Sequence, residues 1–247
     1  MNDFNERTEH SDRILGCACD LYLRDGFEGF SMRKLAREVG VTAPAIYRHY
    51  EGKEALLLDV VKEAYKVMAQ YLYSALGGTT PEERFRMAGD AYLDFAMEHP
   101  RYYEITYSYP QFLGLDDPHP EIAPLECGIG QFWNDRVREC MDSGFLHDDD
   151  PDTVALSFWA FARGLISIQQ RGLLQVGDED FREVFRAQIA RLIAGTGGEE
   201  ERRRIRREIA ASPASTPALV PDPKHGRTES RMADQEPVEL RAQEDVL

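Results

Sequence analysis

The sequence predicts an all-α protein, and three observations predict it. Apolar residues recur at intervals of three and four through residues 14–192, the period of a helix with one buried face. No segment alternates apolar and polar residues as a half-buried strand does. Glycine and proline stand between the apolar runs, at Gly26, Gly40, Gly77-Gly78, Pro100, Gly144, Pro151 and Gly195, where they start or stop helices. The runs group into a three-helix unit, residues 1–55, and a larger helical unit, residues 56–195. Residues 196–247 lose the pattern and are rich in charge and proline, so a disordered tail is expected there.

In chain order, Ile14, Ala18, Leu21 and Tyr22 mark a first helix. It should end near Asp25-Gly26, with Gly26 as a left-handed cap. Met32, Leu35, Ala36 and Val39 mark a second helix, and Ala45, Ile46 and Tyr50 a short third. Leu57, Val60, Val61, Ala64, Val67, Met68 and Tyr71 mark a long fourth, broken by Gly77-Gly78. Pro81 suits a first turn and opens a fifth through Phe85, Ala88, Tyr92, Phe95 and Ala96, stopped at His99-Pro100. Residues 101–107 read as a short tyrosine-rich helix, and residues 108–120, with three prolines, as a loop. Ile122 to Cys140 form the next helix, ending at Ser143-Gly144. Asp150-Pro151-Asp152 start another through Phe158, Phe161, Leu165 and Ile166, and Phe181 to Leu192 make the last. Glu199–Ala211 could form a solvated helix through Glu–Arg pairs.

Composition narrows the function classes. Apolar residues are 43% of the chain, enough for a sizeable core. No run reaches the about 18 apolar residues of a membrane span. The polar, acidic N-terminus has no secretory pattern, so a cytoplasmic location is expected. Cys17, Cys19, Cys127 and Cys140 form no CxxC pair and have no histidine at zinc spacing. They read as reduced thiols, with Cys17 and Cys140 on apolar helix faces, and no metal site is expected. A Gly-rich phosphate loop, a nucleophile elbow and HExxH are all missing, so neither catalytic residues nor a cofactor are expected. The net charge of −15 argues against a general nucleic-acid coat. Its distribution points elsewhere. Residues 31–53 hold Arg33, Lys34, Arg37, Arg48 and Lys53 against Glu38 and Glu51, a short basic stretch on an acidic body.

That stretch contains the strongest motif, SMRKLAREVGVTAPAIYRHY at residues 31–50. Ser31 is an N-cap residue, and Phe30 before it can pack on Leu35 as a staple. Thr42 repeats the arrangement with Val41 and Ile46. Gly40 lies between the helices, where a left-handed residue is needed. Ala36 is small where the helices must approach. Helix, four-residue turn and helix in this order make a helix-turn-helix, a unit that docks its second helix in the DNA major groove. The second helix would present Thr42, Ala43, Pro44 and Ala45 at its N-terminus, short side chains that can meet thymine methyls. Arg33 could read bases bidentately. Tyr47 and His49 can donate to phosphates, and Lys53 can place its charge near one.

The first 60 residues resemble the tetracycline-repressor (TetR) family of bacterial regulators. The resemblance rests on Ala36-Arg-Glu-Val-Gly40-Val-Thr42, Ile46-Tyr-Arg-His-Tyr50 and Lys53-Glu-Ala-Leu56, with Tyr50 where the family commonly has phenylalanine. It implies a homodimeric regulator of double-stranded operator DNA. By resemblance Arg33 and Ala43, Pro44 and Ala45 face bases, while Ser31, Thr42, Tyr47, His49 and Lys53 contact the backbone. The stretch 158–172 resembles a subgroup carrying a Trp, His-Gly and Leu pattern: Trp159, Gly164 and Leu165 fit, and Arg163 stands at the histidine position. Family architecture implies dimerisation through residues 152–171 and 178–194, with Gly164 permitting close approach and Phe181, Phe185 and Leu192 supplying apolar area.

A pocket for a small-molecule effector is expected among the middle helices. Tyr92, Phe95, Tyr103, Tyr107, Phe132, Trp133, Phe158 and Phe161 are candidate wall residues. Arg163 could pair with an acidic effector or neutralise an internal carboxylate. The expected mechanism is a population shift in which the effector moves the two reading heads out of register with a palindromic operator, as a repressor is released. The alternative is a DNA-binding regulator without an effector, controlled by a protein partner. The aromatic middle of the chain speaks against it, and a pocket too small for a ligand would speak for it.

Overall fold

The computed structural model of the protein describes residues 2–115, 118–196, 203, 204 and 207. Nine α-helices lie among the described residues, with no strand. They are α1 (Asn2–Gly29), α2 (Met32–Val39), α3 (Ala43–Ile46), α4 (Lys53–Ser74), α5 (Pro81–Glu98), α6 (Pro100–Phe112), α7 (Ala123–Asp142), α8 (Pro151–Gln170) and α9 (Asp178–Thr196). The expected disordered tail and solvated Glu–Arg helix lie, apart from three arginines, outside the described residues. Of those arginines, Arg204 pairs with Glu82 on α5 at 2.5 Å.

Local chemistry sets most boundaries. Ser31 Oγ accepts from the Lys34 N–H at 3.2 Å, the N-cap bond expected of it. Gly40 sits at φ 77°, ψ 32°, and the Val41 N–H reaches the Ala36 carbonyl at 2.9 Å, closing α2 in a left-handed cap. Thr42 takes the N-cap backbone position of α3, but its side chain makes no capping bond, contrary to expectation. At α5, Thr80 Oγ1 accepts from the Glu83 N–H at 3.1 Å while the Glu83 carboxylate accepts from the Thr79 N–H at 2.7 Å. At α8, Asp150 accepts from the Thr153 N–H at 2.9 Å, and Pro151 fills the first turn.

Two elements differ from the sequence reading. α1 does not stop at Gly26. It kinks there, at φ 69° and ψ −172°, and resumes for a final turn to Gly29. A left-handed φ with extended ψ is open to glycine alone at low cost, so the kink needs this residue. α6 runs to Phe112, through Pro110, where a loop was expected. Proline has no N–H to donate back to the carbonyl of Thr106. Tyr65 on α4 supplies the missing donor: its hydroxyl donates to that carbonyl at 2.9 Å in a buried position. A partner 41 residues away in sequence thus lets the helix continue through proline. Tyr65→Phe should leave the carbonyl buried and unpaired, costing about 1–3 kcal/mol. A lowered urea midpoint would register that cost, and an unchanged midpoint would refute the role.

One apolar core runs from the three-helix unit into the body. It joins Ile14, Leu21, Tyr22, Leu35 and Ile46 to Leu56, Val60, Val61, Ala64, Phe95 and Tyr102. A second cluster, with Phe85, Val137, Cys140, Phe145, Phe158 and Ile193, joins α5, α7, α8 and α9. Trp133 and Ile189 pack against both. Cys140 is buried as expected, but at the N-terminus the buried thiol is Cys19, while Cys17 is half-buried. The neighbouring positions 18, 21 and 22 rotate the buried face of α1 toward Cys19. Desolvation raises the Cys19 thiol to about 11 and Cys140 to about 12, so both stay protonated and weakly nucleophilic.

Candidate functional site

The helix-turn-helix presents one exposed face. Thr42 and Pro44 are exposed, Ala43 and Ala45 half-buried, and Ile46 is fully buried beneath them. α3 is only four residues long, and its direction is carried onward by the His49 and Tyr50 N–H groups, both bonded to the Ile46 carbonyl. Tyr47 projects from this turn with 53% of its surface exposed. Arg33 is exposed, Ser31 and His49 are half-buried. The Ser31 hydroxyl oxygen is already used as the α2 cap.

The basic stretch divides in two. Lys34 is turned inward, donating to the Gly29 carbonyl at 2.9 Å. Lys53 is also turned inward: its ammonium donates to the Phe27 carbonyl at 3.2 Å and lies 4.0 Å from the centroid of the Phe27 ring. Arg33, Arg37 and Arg48 are exposed and make no side-chain hydrogen bond or ion pair among the described residues. Arg37 and Arg48 were not singled out as contacts from sequence. Their signal was membership of the basic stretch, which does not by itself say which charges face outward. α2 is held against α1 by Arg13, which donates to the Val39 carbonyl at 3.0 Å, where the helix needs acceptors satisfied.

The body holds a partly open cavity of about 490 Å³ between α4, α6, α7 and α8. Its wall includes Tyr107, Trp133, Trp159, Ile129 and Met68, with Glu126, Asp152 and Arg163 as charged members. Of the residues expected around an effector, Tyr107, Trp133 and Arg163 line it. Tyr92 and Phe158 line a smaller neighbouring cavity of about 130 Å³, to which Trp133 and Trp159 also contribute. Phe95, Tyr103 and Phe132 are packed in the core, and Phe161 is half-buried; none of these four lines either cavity. The tyrosines go inward because their hydroxyls satisfy one another: Tyr92 and Tyr107 are 2.7 Å apart, and Tyr92 donates to Tyr103 at 3.4 Å. Burial raises all three phenols.

Several wall residues went unrecognised in the sequence. The Tyr109 hydroxyl donates to one oxygen of Glu126 at 3.1 Å, and the single Tyr65 proton is shared between that oxygen, at 3.2 Å, and the Thr106 carbonyl. Burial, then Glu126, raises Tyr65, and the same causes bring Tyr109 to about 12. Asp152 accepts from the Asn134 amide. Helical periodicity reveals which face of a helix is inward, but a cavity wall and a packed core share that face. Arg163 lies with its guanidinium carbon 3.9 Å from the Tyr107 centroid and 5.4 Å from that of Trp159. It forms no ion pair among the described residues, so the internal carboxylate considered for it is not present there.

α6 connects the two regions. Thr106, Tyr107, Tyr109 and Pro110 line the cavity. The same helix places Phe112 in a stack on Phe27, centroids 4.8 Å apart, and Arg101 against Gly26 at the kink of α1. Phe27 in turn carries Lys53, the first residue of α4 after the recognition helix.

Comparison with known proteins agrees with this geometry. Residues 14–60 match the description "Bacterial regulatory proteins, tetR family", and residues 85–192 match "Tetracyclin repressor-like, C-terminal domain". The chain is similar to an uncharacterized HTH-type transcriptional regulator of Mycobacterium tuberculosis, 25% identical over 172 residues, which is 70% of this chain and 74% of that protein. Among solved structures, a protein of unknown function from Rhodococcus sp. RHA1 has the same fold, with a TM-score of 0.67, 22% identity, and coverage of 76% of this chain and 95% of that one. AibR, solved in complex with isovaleryl coenzyme A and operator DNA, shares the fold at a TM-score of 0.57 and 19% identity, covering 72% of this chain and 97% of AibR. No described helix is long and apolar enough to cross a membrane. With an exposed helix-turn-helix at one end, a cavity in the helical body, and a family description matched on each, the chain belongs to the tetracycline-repressor family of DNA-binding transcription regulators.

Proposed function

We propose that the protein is a homodimer that binds a palindromic operator and is released from it when a small molecule occupies the 490 Å³ cavity. The observation that carries this reading is the double role of α6, whose residues line the cavity and also seat the DNA-reading unit through Phe112 and Arg101. An effector that shifts α6 must shift Phe27, and with it Lys53 and the start of α4. Two reading heads have to enter successive major grooves about 34–36 Å apart or a multiple of that, so a small change in their separation weakens binding. The AibR structure holds an acyl thioester and operator DNA on the same fold, and by analogy supports a ligand-responsive regulator here.

The face for dimerisation is proposed on α8 and α9, residues 152–171 and 178–194. Leu156 is 59% exposed, and Ala160 and Gly164 follow at four-residue spacing, also exposed. This leaves an apolar, small-residue strip of α8 uncovered in the single chain. In the reading head, Arg33, Ala43, Pro44 and Ala45 would meet bases, with Ser31, Thr42, Tyr47 and His49 on the backbone. Arg37 and Arg48 join them as phosphate contacts. Lys53 acts from behind, by holding Phe27.

Binding to the DNA upstream of the protein's own gene, measured across a salt series, tests this reading. Two arginine–phosphate contacts per protomer, Arg37 and Arg48, give the dimer a log–log slope of about −4. A duplex carrying one half-site should bind far more weakly than the full palindrome. Absence of sequence-specific binding to any genomic fragment would refute the regulator. Equal effector affinity with and without operator would refute the release mechanism, because coupling between two sites is reciprocal.

A further inference from the structure

We propose that the molecule this cavity takes is a small organic acid with a flat or apolar body, held by its carboxylate on Arg163. The inference rests on the effector reading above and adds the chemical class. Arg163 projects from α8 into the cavity wall, half-buried, with Tyr107 and Trp159 against its guanidinium. Packing against rings orients a guanidinium without using its N–H groups as hydrogen-bond donors. No carboxylate or carbonyl among the described residues accepts from them. A cation fixed in place beside a cavity, with its donors unspent, is arranged to take a planar, bidentate anion.

The other charges of the cavity favour the same class. One oxygen of Glu126 accepts from the Tyr109 hydroxyl and shares the Tyr65 proton with the Thr106 carbonyl. Asp152 accepts from Asn134 and stands, exposed, in the first turn of α8, where the helix N-terminus favours a negative charge. Each carboxylate thus has a hydrogen-bond donor within the protein, while the Arg163 guanidinium has no acceptor among the described residues. An organic cation would want the faces of Tyr107 and Trp159, and Arg163 occupies that neighbourhood. The remaining wall, with Ile129 and Met68, is apolar, and the volume suits an ordinary small ligand.

The test uses the full chain and two matched sets of probes that differ only in head group: 2-naphthoate, 2-naphthamide and 2-naphthylmethylamine, and 4-phenylbutyrate, 4-phenylbutanamide and 4-phenylbutylamine. Calorimetric titration of the wild type should show at least one acid binding about tenfold or more tighter than its amide and its amine. In Arg163→Gln the acid should fall to the affinity of the amide, with the amide unchanged. Arg163→Lys, which keeps the charge but not the fork, should retain part of the preference. The chain has two tryptophans and both line the cavity, so binding there should also shift their emission. Thermal melts establish that each variant is folded. If the amide or amine equals the acid in both sets, if neither acid binds, or if Arg163→Gln keeps the preference, the proposal is overturned. The effector reading fails separately. An amide or amine that seats in the cavity and releases operator DNA would leave that reading intact without the acid class. An acid that binds through Arg163 and leaves operator affinity unchanged would do the reverse.

Discussion

Tyr47→Ala should lower operator affinity by roughly 30- to 150-fold at fixed salt, the equivalent of about 2–3 kcal/mol lost over two protomers. Tyr47 is 53% exposed at the end of the recognition turn and its hydroxyl makes no hydrogen bond among the described residues, so its removal should hardly touch folding. The phenol is neutral. Its loss should therefore shift the binding curve while leaving the salt slope where it was. Arg48→Ala makes the contrast: Arg48 is proposed as a phosphate contact, and each charge withdrawn from a phosphate reduces the slope by about 1. Fluorescence anisotropy on a labelled palindrome separates the two behaviours. A Tyr47→Ala affinity within twofold of wild type would remove Tyr47 from the interface.

Gly26→Ala should destabilise the protein by about 1–3 kcal/mol, although the change is a single methyl. At φ 69° and ψ −172° an L-residue is strained, and the new Cβ would also run into the Arg101 guanidinium. The arginine can swing aside; the backbone cannot adjust without straightening α1. Straightening would carry Phe27 away from Phe112 and Lys53, the contacts that join the reading head to α6. The thermal midpoint should fall by several degrees, and operator affinity should fall with it even well below the melt. Arg101→Ala, which makes room without relieving φ, should not rescue the variant. An unchanged midpoint in Gly26→Ala would mean that the kink is incidental.

These two positions also show where sequence is informative. The Tyr47 prediction follows from a contiguous motif: cap, left-handed glycine, small residue and short second helix lie within twenty residues, and each has a local physical cause. Arg33, Ala43, Pro44 and Ala45 are proposed as base contacts on the same grounds. The body is different. Its helices were legible from their period and punctuation, and Pro81, Pro100, Gly144 and Pro151 all mark boundaries in the structure. Which inward residues border empty space was not legible. Phe95, Tyr103 and Phe132 share the apolar faces of α5, α6 and α7 with true wall residues and are packed solid.

The sequence by itself determined the all-α class, the helix-turn-helix and most helix limits, because caps, turns and amphipathic faces are decided by residues within a few positions of one another. Tertiary structure alone decided three things. α6 continues through Pro110 because Tyr65 donates to Thr106 from another helix. Lys53 faces Phe27 because the kink at Gly26 presents that ring to it. Arg163 lies beside a cavity, stacked on Tyr107 with no ion-pair partner among the described residues. Each depends on a group brought close by folding, and helical periodicity records only that a side chain points inward, not what it meets there.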